Sequence, residues 1–236
     1  MIDEVASTGS KGWGARPQRI AAPWILGLYA LASATFIMAT RWADWYSGSG
    51  SQGQFLLLPL VTVLGGIGLL AAMWAFEAAD GLATAMLGIW GAFWIAYGLL
   101  NALFMSGRLA EPNGMFPEIG FWFIVVGAIT WMGAVAALSE SVALVLTLGF
   151  LATGSTLAAI ANIADRGGLE LVAGWVFLIS AVVGWYTATG MMFERTSGRS
   201  VLPLGACAAT EPFSRAQRAP EQGRVMTEMP AGQRIG

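Results

Sequence analysis

The chain has 236 residues, 56% of them hydrophobic and only 11% charged, with a formal net charge of −2 and a mean hydropathy of +0.66. A soluble domain carries about a quarter charged residues, so the composition points to an integral membrane protein and offers no basic surplus for nucleic acid. Histidine is absent and the one cysteine is Cys207; this excludes a Ser-His nucleophile pair, an imidazole-held zinc or haem, a histidine proton relay and an intrachain disulfide, and implies no cofactor or metal.

Residues 1–20 form a polar cytoplasmic segment containing Lys11, Arg16 and Arg19. The first apolar run, 21–40, contains the signal-cleavage-like "ASA" at 32–34, but it continues to Ala39 and is followed by Trp42, Trp45 and Tyr46 as an interface belt, so it reads as an uncleaved span. The Gly/Ser-rich 47–53 leads to a second span, 55–76, with Gly65, Gly66 and Gly68 in sequence proximity. Glu77 and Asp80 precede a third, 82–105, which holds "GIWGAFW" at 88–94. The connection 106–118 contains Pro112, Gly114 and Pro117; the fourth span is 119–138, and Glu140 separates it from the fifth, 141–164. Asp165 and Glu170 flank the turn into the sixth, 171–193. Residues 206–236, rich in Ala, Arg, Gln, Glu, Pro and Gly, read as a disordered cytoplasmic tail.

Six uncharged runs of about twenty residues predict an all-α, polytopic membrane protein with one six-helix domain over 21–205. The basic residues of the two terminal segments, six arginines from 194 onward among them, place both termini in the cytoplasm. All fourteen acids lie outside the spans or at their ends, which suits a narrow, largely apolar pathway for a small neutral or transiently neutral solute. Trp90 and Trp94 share a helical face and serve either as packing or as an apolar gate. Asn162 either bonds neighbouring backbone or donates to a passing carboxylate or amide. The glycines of spans two, five and six serve packing within one bundle or between subunits.

"GRSVLPLG" at 198–205 resembles the closing G-R-x-x-L-P-x-G motif of the acetate uptake transporter family, the succinate–acetate permeases. "AIANIA" at 159–164, "AGWV" at 173–176, "GAFW" at 91–94, "PWILGL" at 23–28 and "GGI" at 65–67 are similar to further motifs of that family, in the same order. The resemblance covers about 20–205. It implies a six-helix protomer, a homo-hexamer with a pore in each protomer, and uptake of acetate and similar monocarboxylates, proton-linked or channel-like, across a bacterial inner (plasma) membrane. It places an apolar constriction at Leu31, Trp90 and Leu151, and motif or pore-lining positions at Pro23, Gly27, Leu28, Gly91, Asn162, Arg199 and Pro203. Ala22, Ile25, Leu31 and Trp90 depart from the family's Asn, second Pro, Phe and Tyr, and "EAADGLATAM" shortens its G-N-T-F segment. These departures keep two other readings in view: a urea or amide channel, and a non-transporting scaffold or sensor acting through its tail.

Overall fold

The computed structural model describes residues 22–45, 53–110 and 116–205, with backbone alone for 53–56. The N-terminal segment 1–20, most of the Gly/Ser linker, Pro112, Gly114, Cys207 and the tail 206–236 lie outside the described residues.

Six long helices follow one another: α1 (Pro23–Trp42), α2 (Gly53–Glu77), α3 (Gly81–Met105), α4 (Pro117–Ala136), α5 (Val142–Ile163) and α6 (Gly167–Ser197), with a single 3₁₀ turn at Ala137–Ser139. All six are long and apolar enough to cross a membrane. The ends follow local chemistry. Pro23 and Pro117 open α1 and α4 at their first positions, where a missing N–H costs nothing. The Asp80 carboxylate accepts from Ala83 N at 2.9 Å and the Ser141 hydroxyl from Leu144 N at 3.3 Å, capping α3 and α5. Arg41 stands in the last turn of α1, where a cation faces the negative end of the helix dipole.

Helix α6 outruns its apolar run. Glu170, Glu194 and Arg195 bound the uncharged window, yet the helix holds 31 residues. At 1.5 Å per residue it is about 46 Å long, more than the ~30 Å hydrocarbon layer. Charged residues are good helix formers once outside the lipid. The helix stops only at Gly198, whose φ of +69° is the left-handed conformation that ends helices.

The helices form a closed ring in chain order, each packed antiparallel to the next, with α1 also against α6. Thus α1, α3 and α5 run in one direction and α2, α4 and α6 in the other. The end where α1 begins and α6 finishes is called the terminal face below, and the other end the far face. Helices α2 and α3 cross closely. A Cβ on Gly65 would lie 2.9 Å from Gly91 O, and one on Gly91 would lie 2.7 Å from Leu69 N, so both positions must lack a side chain. Gly66, in the same run, meets nothing within 4 Å and points away from the protomer. Gly154 packs on Phe177, and Gly184 on Ala32 and Thr147, so most of the small residues serve contacts within the bundle.

The signature-like segment after α6 has a structural task. Val142 N donates to Gly205 O at 2.9 Å and Ala143 N to Leu204 O at 3.0 Å. Residues 204–205 therefore satisfy the first free N–H groups of α5, which no bilayer carbonyl would serve. Leu204 packs on Gly190, the Tyr186 hydroxyl donates to Pro203 O at 2.9 Å, and Gly205 adopts φ +70°. The chain is folded back from the end of α6 onto the start of α5.

Candidate functional site

The buried interior takes side chains from α1, α3 and α5 together with residues such as Phe123 of α4 and Phe177 of α6. On α1, Gly27 leaves the space that the Leu87 side chain of α3 fills. Nearer the far face, Trp42 meets Tyr97 edge-on with ring centroids 6.2 Å apart. These two contacts set α1 and α3 side by side in one direction, so that Leu31 and Trp90 stand at comparable depth.

Leu31, Trp90 and Leu151 are 5%, 0% and 1% exposed, and all three belong to one continuous buried apolar cluster. Three residues earlier on the same helices stand Leu28, Leu87 and Leu148, also fully covered and in the same cluster. The six side chains thus form two successive sets of buried apolar residues on α1, α3 and α5. Because Trp90 has no accessible surface, no space wide enough for a water molecule adjoins its ring. Apolar layers of this kind stop ions by excluding water, and they open only when side chains move.

Trp90 is held on three sides. Its indole N–H donates to the Thr130 hydroxyl of α4 at 2.9 Å, and Thr130 in turn donates to Val126 O at 2.5 Å. Phe93 and Trp94 pack against its ring at centroid distances of 5.1 and 5.9 Å. From there an aromatic cluster fills the interior toward the far face: Phe93 on Phe123 at 5.3 Å, Trp42 on Phe123 at 5.7 Å and Trp42 on Phe177 at 5.3 Å. Thr130 carries no sequence signal of its own, since one threonine in an apolar run marks neither a motif nor a cap.

The other candidate residues are placed as follows. Pro23 and Leu28 are buried on α1, Pro23 as its first residue. Gly27 and Gly91 make room for close contacts rather than for a ligand. Asn162 is 8% exposed near the far face; its amide donates to Ala158 O at 2.8 Å, and its carbonyl accepts from Phe116 N at 3.4 Å. Its polar groups thus tie the α5 end to the start of α4. Arg199 is exposed beyond α6 and Pro203 belongs to the returning segment, both at the terminal face and apart from the constriction.

Most buried hydroxyls here are spent on their own helix. Those of Thr130, Thr147, Thr153, Ser155, Thr156 and Thr187 all donate to the carbonyl four residues earlier. Among the described residues three buried side-chain polar atoms have no partner: Thr35 Oγ1, Trp94 Nε1 and Trp24 Nε1. Among the described residues no group of His, Cys, Asp and Glu has the makings of a metal site. At the terminal face, burial pushes the Glu140 carboxyl above its ordinary range, and the Asp80 charge adds to the rise.

The model of the GPR1/FUN34/yaaH family matches residues 10–205, and the chain belongs to that family. It is 25% identical to "Ammonia transport outward protein 3" of Saccharomyces cerevisiae over 173 residues, which cover 72% of this chain and 62% of that one. It thus spans less than two thirds of that relative's length. It is 24% identical to the "Succinate-acetate/proton symporter SatP" of Escherichia coli K12 over 188 residues, 79% of this chain and 96% of that one. Its fold superposes on the structure of the bacterial acetate channel SatP with a TM-score of 0.71 at 22% identity, covering 78% of this chain and 99% of the other.

Proposed function

We propose that this member of the GPR1/FUN34/yaaH family carries acetate and similar small monocarboxylates across a plasma membrane, through a pathway inside each protomer that Leu31, Trp90 and Leu151 close. Membership and the shared fold support membrane carriage as the class of activity. The observation that carries the gate assignment is the complete burial of Trp90 within two apolar layers spanning α1, α3 and α5. A charged or bulky solute cannot share that space, whereas a small acid can pass once a few side chains turn. The printed names of the relatives range from succinate and acetate to ammonia; the uncharged spans and the indole-lined interior favour the acid.

In the same reading both termini face the cytoplasm, transport is coupled to protons and the protomers assemble as a homo-hexamer. Exposed apolar side chains on the even helices, such as Leu70 and Trp74 of α2 and Met132 and Val135 of α4, supply surface for lipid and for neighbouring protomers.

Uptake of labelled acetate into proteoliposomes tests the function. Saturable uptake competed by propionate is expected, and Trp90→Ala is expected to raise flux or relax selectivity. No uptake from correctly folded protein would remove acetate as the substrate. Unchanged flux and selectivity in folded Trp90→Ala would remove Trp90 from the gate.

A further inference from the structure

Thr35 and Trp94 are 1% exposed, and neither polar atom has a hydrogen-bond partner. A buried polar group without a partner costs free energy, and proteins rarely keep one without a use. The Thr35 hydroxyl is the more telling of the two. The six hydroxyls named above back-bond to their own helix, and this one does not, although Leu31 O stands four residues before it.

The two groups also stand at comparable depth. Thr35 stands four residues after Leu31, and Trp94 four after Trp90. Each lies one helical turn beyond the constriction, on the same face as its constriction partner. Helices α1 and α3 run in one direction and are packed side by side through Gly27 with Leu87 and Trp42 with Tyr97, so both displacements are toward the far face. Trp24, the third unpartnered donor, sits in the first turn of α1 at the terminal face.

We infer that Thr35 Oγ1 and Trp94 Nε1 form a carboxylate subsite on the far-face side of the gate, binding the two oxygens of a small monocarboxylate in preference to an amide and rejecting ammonium. The chemistry of the donors decides the class. An indole nitrogen can only donate, and the threonine hydroxyl has its proton free. A carboxylate only accepts, so two donors and two oxygens leave nothing unpaired. An amide of the same shape pairs its carbonyl with the indole and its NH₂ with a lone pair of the hydroxyl, but without the charge-assisted strength of the carboxylate bonds. Ammonium has no lone pair to offer. The Trp90 and Ser155 donors nearby are already committed, to Thr130 and to Leu151 O, and do not compete. The methyl end of acetate would then rest against Leu31 and the Trp90 ring.

The subsite rests on the proposed carriage of acetate, and two readouts separate them. The first is acetate uptake into proteoliposomes, with acetamide as competitor, for the unsubstituted protein, Thr35→Val, Thr35→Ser and Trp94→Phe. The second is the acetate-induced rise in melting temperature of the same purified proteins. Each lost donor is expected to raise the half-saturating acetate concentration about tenfold or more. Thr35→Ser should restore it, and acetate should stabilise the unsubstituted protein more than acetamide does, with no effect of ammonium. If Thr35→Val and Trp94→Phe keep the original half-saturation and preference for acetate, the subsite is wrong while the transport function stands. If no uptake occurs but acetate stabilises the protein and both substitutions abolish that effect, the subsite stands and the transport function is wrong. If acetate neither stabilises the protein nor enters, both are wrong.

Discussion

Trp90 stands where the family resemblance leads one to look for a tyrosine, and the exchange changes what holds the gate. A phenol can donate and accept, whereas an indole offers one donor, and here that donor is committed to Thr130. The bond ties α3 to α4 beside the proposed constriction, so turning Trp90 away from its place must break it. A double-mutant cycle of Trp90→Phe and Thr130→Val, read by unfolding in detergent, should give a coupling of about 1 kcal/mol. Additivity of the two substitutions would show that the bond contributes nothing. Either substitution that leaves the protein folded should also speed acetate entry, because the closed state loses a contact that the open state does not make. The position of Trp90 was legible in the sequence through "GAFW" and its spacing from Trp94, but its partner was not. Nothing in a sequence tells which of several lone threonines faces an indole across a bundle. The same holds for Thr35, whose free hydroxyl is visible only against the many that back-bond.

At the scale of elements, the sequence announced all six helices because a bilayer leaves the backbone few alternatives. What it blurred was their ends, most of all in α6, where charge marks the edge of the lipid and not the end of the helix. It blurred the glycine patch too, which divides by helical face: Gly65 and Gly68 turn to α3, and Gly66 turns outward. Gly91→Ala places a methyl against the backbone of α2 and should cost about 1–3 kcal/mol as overpacking, lowering the melting temperature of the purified protein. Gly66→Ala should leave the fold of the protomer unchanged. Equal effects would mean that the α2–α3 crossing is not the tight one. The returning segment makes a similar contrast. Truncation after Gly205 keeps both bonds to Val142 N and Ala143 N, whereas truncation after Ser200 removes them and should lower the melting temperature; equal melting of the two truncated chains would refute the capping role. The turn between α4 and α5 adds a pH dependence. Because the carboxyl of Glu140 lies above its ordinary value when folded, the protonated form is the one the fold prefers. Its contribution to stability is complete below the ordinary value of 4.5 and is lost as pH rises through the elevated folded value. Glu140→Gln should remove that part of the pH profile in a melting series, and an unchanged profile would contradict it.

For the molecule as a whole, the proposed gate and subsite divide the proposed pathway into a stretch that cannot hold a charge and a stretch that welcomes one. The two apolar layers, Leu28, Leu87 and Leu148 followed by Leu31, Trp90 and Leu151, are dry and hold no polar side chain besides the committed indole. Taking a carboxylate through them without hydrogen bonds costs several kcal/mol, while the neutral acid crosses at far smaller cost. The unpaired donors at Thr35 and Trp94 lie just past the layers and favour the ionised form. On the proposed function, the species that crosses the gate is the protonated acid, with the proton given up or taken on beside the donors, and uptake is coupled to protons with no titratable side chain needed in the middle of the bundle. The requirement is quantitative. At a fixed total acetate concentration, protein-mediated uptake should fall about tenfold per pH unit above the ordinary carboxyl range, following the neutral fraction from about pH 5 to about pH 8. Protein-free liposomes supply the baseline, because neutral acid also crosses lipid, and Glu140→Gln protein separates this dependence from that of the turn. Protein-mediated uptake that ignores pH over that range would mean that the carboxylate itself passes. The two leucine-rich layers would then have to open to water, and the Trp90–Thr130 bond would be the first contact to break.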